Sequence, residues 1–187
     1  MLGVGEGLYA RVLGSKWNDL DETVRLLHAR DAAVRATGTF RVLHGSSFLA
    51  RCSVWAFRLP SPGDAVSTSL VISPVGDSET WTRRFDGRPL VTTQRVVDRG
   101  VLTECFGLFE LRFQLTVHNG SLLYDQIGAR LRCGRLSLPL PSWLAPHVLA
   151  REERNHVGDG VDIAVRITLP FKTLLIRYEG TVTRQVH

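Results

Sequence analysis

The sequence predicts a mainly β (α+β) protein: a curved antiparallel sheet or barrel of about nine strands, with two N-terminal helices packed on it. Three observations predict this. From Ala65 onward, apolar and polar side chains alternate with period two almost to the C-terminus. Turn sequences (GDS, DGRP, DRG, HNG and GDG) punctuate the alternation and favour antiparallel hairpins. Helical rhythm is confined to the segment before Pro60.

Residues 1–14 read as a flexible lead-in, with Gly3, Gly5 and Gly7 favouring mobility. GVGEG there is no dinucleotide fingerprint, because no strand precedes it. Residues 15–187 read as a single barrel-like domain. Ser15 can cap a helix running to about Arg35, with Trp17, Leu20, Val24, Leu27 and Asp31 on one face and His28 beside them. Gly38 is expected to break it. Residues 39–45 alternate as a strand, with Phe40, Val42 and His44 on one side. Ser46 or Ser47 can then cap a second helix whose stripe of Phe48, Leu49, Cys52, Trp55 and Ala56 would pack inward.

Candidate strands follow at 65–74, 78–86, 89–98, 101–106, 108–118, 121–133, 147–156, 160–169 and 172–183. Phe109, Leu111, Phe113, Leu115 and Val117 form one clean inward set. Three prolines forbid a central strand in LSLPLPSWLAP (136–146), which reads as a crossing loop or lid over Leu138, Leu140, Trp143 and Leu144. So many strands outgrow a flat sheet. Curvature or closure removes the open edges and leaves an interior, calycin-like or helix-grip-like in outline.

Composition excludes several classes. The chain has 187 residues, 44% of them hydrophobic, enough for a real core and too apolar for wholesale disorder. No apolar run approaches the roughly 18 residues of a membrane helix, and the start has no signal-peptide pattern. The net charge of +5 comes from arginines interleaved with acids, which argues against a nucleic-acid partner. Cys52, Cys105 and Cys133 lack metal or disulfide spacing and read as buried thiols of a reducing cytoplasm. No metal or cofactor is expected, nor a nucleic-acid or membrane partner; a homodimer stays open.

The stretch Glu79–Phe85 carries the most chemical information. Alternation puts Glu79, Trp81, Arg83 and Phe85 on one face, a mixture suited to a lined cavity or a buried polar network. Glu79 and Arg83 lie about 13 Å apart along the strand, so each needs a partner from elsewhere. Glu104, inward with Leu102 and Phe106, is the natural partner for Arg83. Arg51 on the second helix could meet Glu79 or Glu152. A structural salt-bridge network and a ligand site both fit this pattern. In the functional reading Arg83, Glu104 and His44 are the catalytic candidates, since imidazole titrates near neutrality. Glu79, Trp81, Arg51, Tyr124, Tyr178 and Trp143 would bind ligand. A hydrogen-bonded core histidine is the plainer account of His44, and His28 reads as a helix-face donor. Glu152 and Glu153 face opposite ways and form no dyad.

Read together, LGSKW (13–17), VRLLH (24–28), LAR (49–51), ETWTRRFDG (79–87), LTECFG (102–107), LPLPSWLAP (138–146) and YEG (178–180) resemble the bacterial family known as domain of unknown function 4166. The resemblance spans about residues 13–182. It implies a stand-alone protein or the back half of a fusion behind a saccharopine-dehydrogenase-like reductase domain, hence small-molecule metabolism and a reductase as partner. The family has no established activity, so no catalytic residue carries over. Two departures stand out: His44-Gly45 where the family tends to show Arg-Gly, and VDIAV (161–165) where a phenylalanine and aspartate pair is usual.

The expectation is a cofactor-independent isomerase, cyclase or lyase of biosynthesis acting on a largely apolar small metabolite. The alternative is a non-catalytic binding or accessory module for such a ligand. A protein-interaction domain using the 136–146 loop comes third.

Overall fold

The computed structural model describes residues 7–28, 33–98, 100–134 and 136–185. Its chain order is α1 (Leu8–Leu13), a 3-10 segment (Gly14–Asp19), α2 (Glu22–Leu27), β1 (Val34–His44), α3 (Phe48–Ala56), β2 (Gly63–Val75), β3 (Ser78–Phe85), β4 (Arg88–Asp98), β5 (Val101–Phe106), β6 (Phe109–His118), β7 (Ser121–Cys133), β8 (Leu136–Leu140), β9 (His147–Arg154), β10 (Val161–Leu169), a 3-10 turn (Pro170–Lys172) and β11 (Thr173–Arg184). The strands run β6-β5-β4-β3-β2-β1-β11-β10-β9-β7, all antiparallel, and β6 pairs with β7 to close the ring. Ten strands make the barrel and β8 is one extra.

The strands form where period two was legible. In β6, Phe109, Leu111, Phe113, Leu115 and Val117 share the inner side, and Leu111, Phe113 and Leu115 are buried. Two hairpins turn on Asp86-Gly87 (φ 46° and 82°) and Asn119-Gly120 (φ 49° and 78°). Both residues of each pair are left-handed, matching a right-twisted two-residue hairpin. These loops pin the register of β3 against β4 and of β6 against β7.

Five local expectations need correction. Of the helix expected over residues 15–35, a 3-10 segment and the separate α2 are present, β1 already begins at Val34, and residues 29–32 lie outside the described residues. Leu20 is extended (φ −70°, ψ 145°), and Asp21 Oδ1 accepts the Thr23 N–H at 2.8 Å, capping a new helix. The apolar rhythm persists because Leu13, Leu20, Val24 and Leu27 all bury against the same barrel end. Gly38 breaks nothing: it lies inside β1, where a Cβ would stand 1.9 Å from Thr181 O.

Residues 8–13, expected as lead-in, form α1, and its Leu8 and Tyr9 are wholly buried. α1 and α2 plug the barrel end that receives the start of β1. Burial of Leu8 and Tyr9 outweighs local backbone freedom there, and residues 1–6 of the expected lead-in lie outside the described residues.

α3 is turned the other way round. Ser47 Oγ caps it at Ala50 N, as the sequence suggested, but Ala50 is the buried residue. Phe48, Leu49, Cys52 and Trp55 face solvent. The small Ala50 lets the helix sit tightly on the ends of β1 and β11.

The proline segment is partly a strand. Residues 136–140 pair with the second half of β7 alone, and an edge is where proline is tolerated. The lid reading fails with it: Leu138, Trp143 and Leu144 are exposed. No helix among the described residues is long and apolar enough to cross a membrane.

Candidate functional site

The barrel interior holds a cavity of about 110 Å³ between an apolar wall and a polar floor. Leu90, Phe106, Leu111 and Phe113 line one side, and Ile163, Val165, Ile167 and Ile176 the other. Leu59 and Pro60, just after α3, complete it near the mouth.

Arg83 enters from the middle of β3. Its guanidinium carbon lies 4.8 Å from the Trp81 ring centre, its Nη1 donates to Thr92 Oγ1 at 3.1 Å, and Glu104 Oε1 stands 3.7 Å away. Arg83 faces Leu90 on β4 and Glu104 faces Gln94 four residues further along it, so the two long side chains lean towards each other past Thr92 to meet. The two side chains are 15% and 17% exposed. Burial disfavours the Arg83 charge, but Tyr178, Glu104, Tyr9 and Tyr124 more than offset it, and its pKa rises. Arg83 therefore stays cationic. A guanidinium has five N–H donors, and one hydrogen bond with one looser ion pair leaves donor capacity facing the cavity.

A second polar cluster lies deeper, under α1 and α2. Tyr9 OH meets Gln94 Oε1 at 2.6 Å and the Tyr124 hydroxyl at 3.0 Å; Tyr124 OH donates to Glu152 Oε1 at 2.8 Å; His28 Nε2 sits 2.6 Å from Glu152 Oε2. Two phenolic protons serve three contacts here. Tyr9 donates to Gln94 Oε1 and Tyr124 to Glu152 Oε1, with the two hydroxyls in contact between them. Burial works to raise the Glu152 pKa, yet His28 and Tyr124 lower it below the ordinary carboxylate value. Glu152 is thus a carboxylate, and His28 donates to it. Burial, reinforced by Glu152, pushes Tyr9 and Tyr124 well up, and burial raises Tyr178 despite Arg83.

The structure brings Trp81, Arg83, Glu104, Tyr124 and Tyr178 to this one cavity. Glu79 is buried on the same strand, towards the plugged end, opposite Gln94. Three candidates lie elsewhere. His44 is at the open rim, where its Nε2–H donates to Pro60 O at 2.7 Å and ties the 59–62 segment to β1. Arg51 is exposed on α3 and shares a surface groove with His44, so it meets neither Glu79 nor Glu152. The reversed face of α3 is the reason. Trp143 is 68% exposed on the loop after β8, in a groove with His147 and Phe171. The four tryptophans do not converge: Trp55 and Trp143 are exposed, Trp17 is partly buried, and only Trp81 is at the cavity.

Sequence reasoning missed the His28–Glu152–Tyr124–Tyr9 cluster. Glu152 and Glu153 do face opposite ways, with Glu153 outward against Arg151. The usable signal was that Glu152 shares its parity with Val148 and Ala150, a charge on an inward face that demands a partner. Among the described residues no group of His, Cys, Asp and Glu is arranged to hold a metal ion. Cys52 and Cys133 are exposed, not the buried thiols that the sequence suggested, and Cys105 is partly buried.

A family model for a domain of unknown function, DUF4166, matches residues 20–182. The chain belongs to this family. The DUF4166 match takes in α2, α3 and the strands down to residue 182, so the plug, the cavity and the rim fall within it except α1, with its Tyr9, and the 3-10 segment. No curated protein matches the chain. Two crystal structures are similar in outline. One is a protein of unknown function of the DUF3598 family from Nostoc punctiforme PCC 73102, at 13% identity and TM-score 0.46, covering 91% of this chain and 49% of the other. The DUF4166 chain thus spans about half the length of the Nostoc protein. The other is Rv2717c from M. tuberculosis, at 14% identity and TM-score 0.46, covering 89% of this chain and 99% of that one.

Proposed function

We propose that the barrel binds a small, largely apolar molecule carrying one oxygen function, and rearranges it without a cofactor. The observation that carries this reading is the Arg83–Glu104 pair, 3.7 Å apart in a cavity whose lining is mainly aliphatic and aromatic. Arg83 would hold the ligand oxygen, as carbonyl or carboxylate, with its cation steadied over Trp81. A carbonyl so polarised acidifies its neighbouring C–H, and Glu104 would take that proton and return it elsewhere, an isomerase-type shift. Atoms balance within the substrate, so no external reductant or oxidant enters. A cavity of this volume is comparable to those that accept a benzene-sized molecule, so a larger ligand would have to displace the Leu59–Pro60 segment.

His44 has no place in this step, because Pro60 O occupies its Nε2–H at the rim. Losing it from the mechanism favours the second reading, a non-catalytic binding module, more than the sequence did. One experiment separates the readings. Purified protein is analysed by native mass spectrometry, and then small enones, ketones and carboxylates are titrated against Trp81 fluorescence and followed by proton NMR in D2O. Binding lost in Arg83→Met, with deuterium incorporated by wild type and not by Glu104→Gln, supports the enzyme. Binding without deuterium exchange supports the module. Unchanged binding in Arg83→Met would sink both and leave the pair as structure.

A further inference from the structure

We infer that the α3 rim of the barrel is a docking face for an anionic lipid bilayer. This is independent of what fills the cavity. Strand registers place α3, the hairpin tips at 86–87 and 107–108, β8 with its following loop, and the 170–172 turn at one end of the barrel, opposite the α1–α2 plug. That end exposes large apolar side chains from separate elements. Trp55 and Phe48 on α3 are 83% and 82% exposed, and Phe171 is 91% exposed, joined by Leu49, Leu108 and Trp143. Such a set is uncommon on a protein with no partner.

Two features show that the exposure is built in. α3 presents its apolar stripe outward while seating Ala50 on the barrel, the reverse of an ordinary packed helix. Phe171 sits at φ 63° and Lys172 at φ 57°, left-handed backbone that bulky side chains rarely adopt, at the tip of the turn.

Charge selects the occupant. Arg51, Arg58, Arg88 and Lys172 are exposed around the same rim, and none is in an ion pair among the described residues. The acids there are engaged: Asp64 pairs with Arg41 at 3.0 Å, and Asp86 accepts the Ser67 N–H at 3.0 Å. Hairpin tips at the opposite end carry Asp77, Asp98 and Asp159 instead, and the arginines beside the first two, Arg11 and Arg112, are taken up in ion pairs with them. The rim is therefore the cationic pole. Tryptophan and phenylalanine flanked by arginine and lysine is the mixture that lies at a membrane interface, its rings among the headgroups and its cations on anionic lipid. The apolar tips are scattered around a mouth, which suits a deformable surface better than one rigid partner face. The sequence expectation of no membrane partner rested on the lack of a spanning run, and a peripheral contact needs none.

The test is co-sedimentation of the full chain with vesicles of phosphatidylcholine alone and of phosphatidylcholine with a minority of phosphatidylglycerol. Partition onto the anionic vesicles is expected to fall roughly tenfold in Arg51→Glu/Lys172→Glu and in Phe48→Ser/Trp55→Ser, with unchanged thermal melts. No partition by the wild type, or partition indifferent to both variants, would overturn the inference. So would light scattering that shows a dimer dissociated by Phe48→Ser/Trp55→Ser, since the apolar rim would then be a self-association face.

Discussion

His28 Nε2 stands 2.6 Å from Glu152 Oε2, joining the end of α2 to the middle of β9 across 124 residues of chain. Neither group is exposed, so the pair holds the helical plug to the inside of the barrel by a charge-assisted bond. Tyr124 takes the second carboxylate oxygen, and Tyr9 links the cluster to β4 through Gln94.

This contact makes stability fall on acidification. The folded pKa of Glu152 lies below its ordinary 4.5, so its contribution is complete above that value and is lost as pH falls through the folded one. Urea unfolding across that acid range should show a steep loss in wild type. His28→Leu leaves the carboxylate buried with Tyr124 alone. It should cost about 3 kcal/mol at neutral pH and shift the acid transition upward. An unchanged acid transition in His28→Leu would remove the pair from the account.

The tyrosines offer an independent reading of the same interior. The chain has 3 tyrosines, Tyr9, Tyr124 and Tyr178, and each has its pKa raised above 10.0, chiefly by burial. No phenolate absorbance should therefore develop in the folded protein as pH passes 10.0. Stability should decline from there upward, because the unfolded chain ionises first. All should titrate together at alkaline unfolding, and Tyr124→Phe should lower urea stability by about 2 kcal/mol through the loss of its bond to Glu152. A phenol titrating ahead of unfolding would mean that water reaches the cluster.

The orientation of α3 can be checked without any ligand. Ala50 is fully buried, so Ala50→Leu overpacks the helix against β1 and β11 and should destabilise by about 2 kcal/mol. Trp55→Ser should stay within roughly 0.5 kcal/mol of wild type, since the ring is exposed. Chemical denaturation of the two variants decides between this packing and the inward stripe that the sequence pattern suggests.

The sequence by itself determined the strand ladder. Residues 101–106 and 121–133 were legible to the residue, and 78–86 and 108–118 nearly so, because alternation and turn chemistry are local properties of a few neighbouring side chains. The inward face of Trp81, Arg83 and Phe85, and the meeting of Arg83 with Glu104, followed from the same parity and hairpin order. Tertiary structure alone decided which way α3 faces, since an amphipathic stripe does not say whether core or solvent receives it. It also decided that Leu8 and Tyr9 are core and that Leu138 and Trp143 are surface, for burial depends on what closure brings alongside. His44 shares the parity of Phe40 and Val42 but lies beyond them at the rim, where the wall ends and Pro60 takes its proton. His28 and Glu152 are partners only because the ring closes and the plug enters it, a relation that no periodicity in either segment contains.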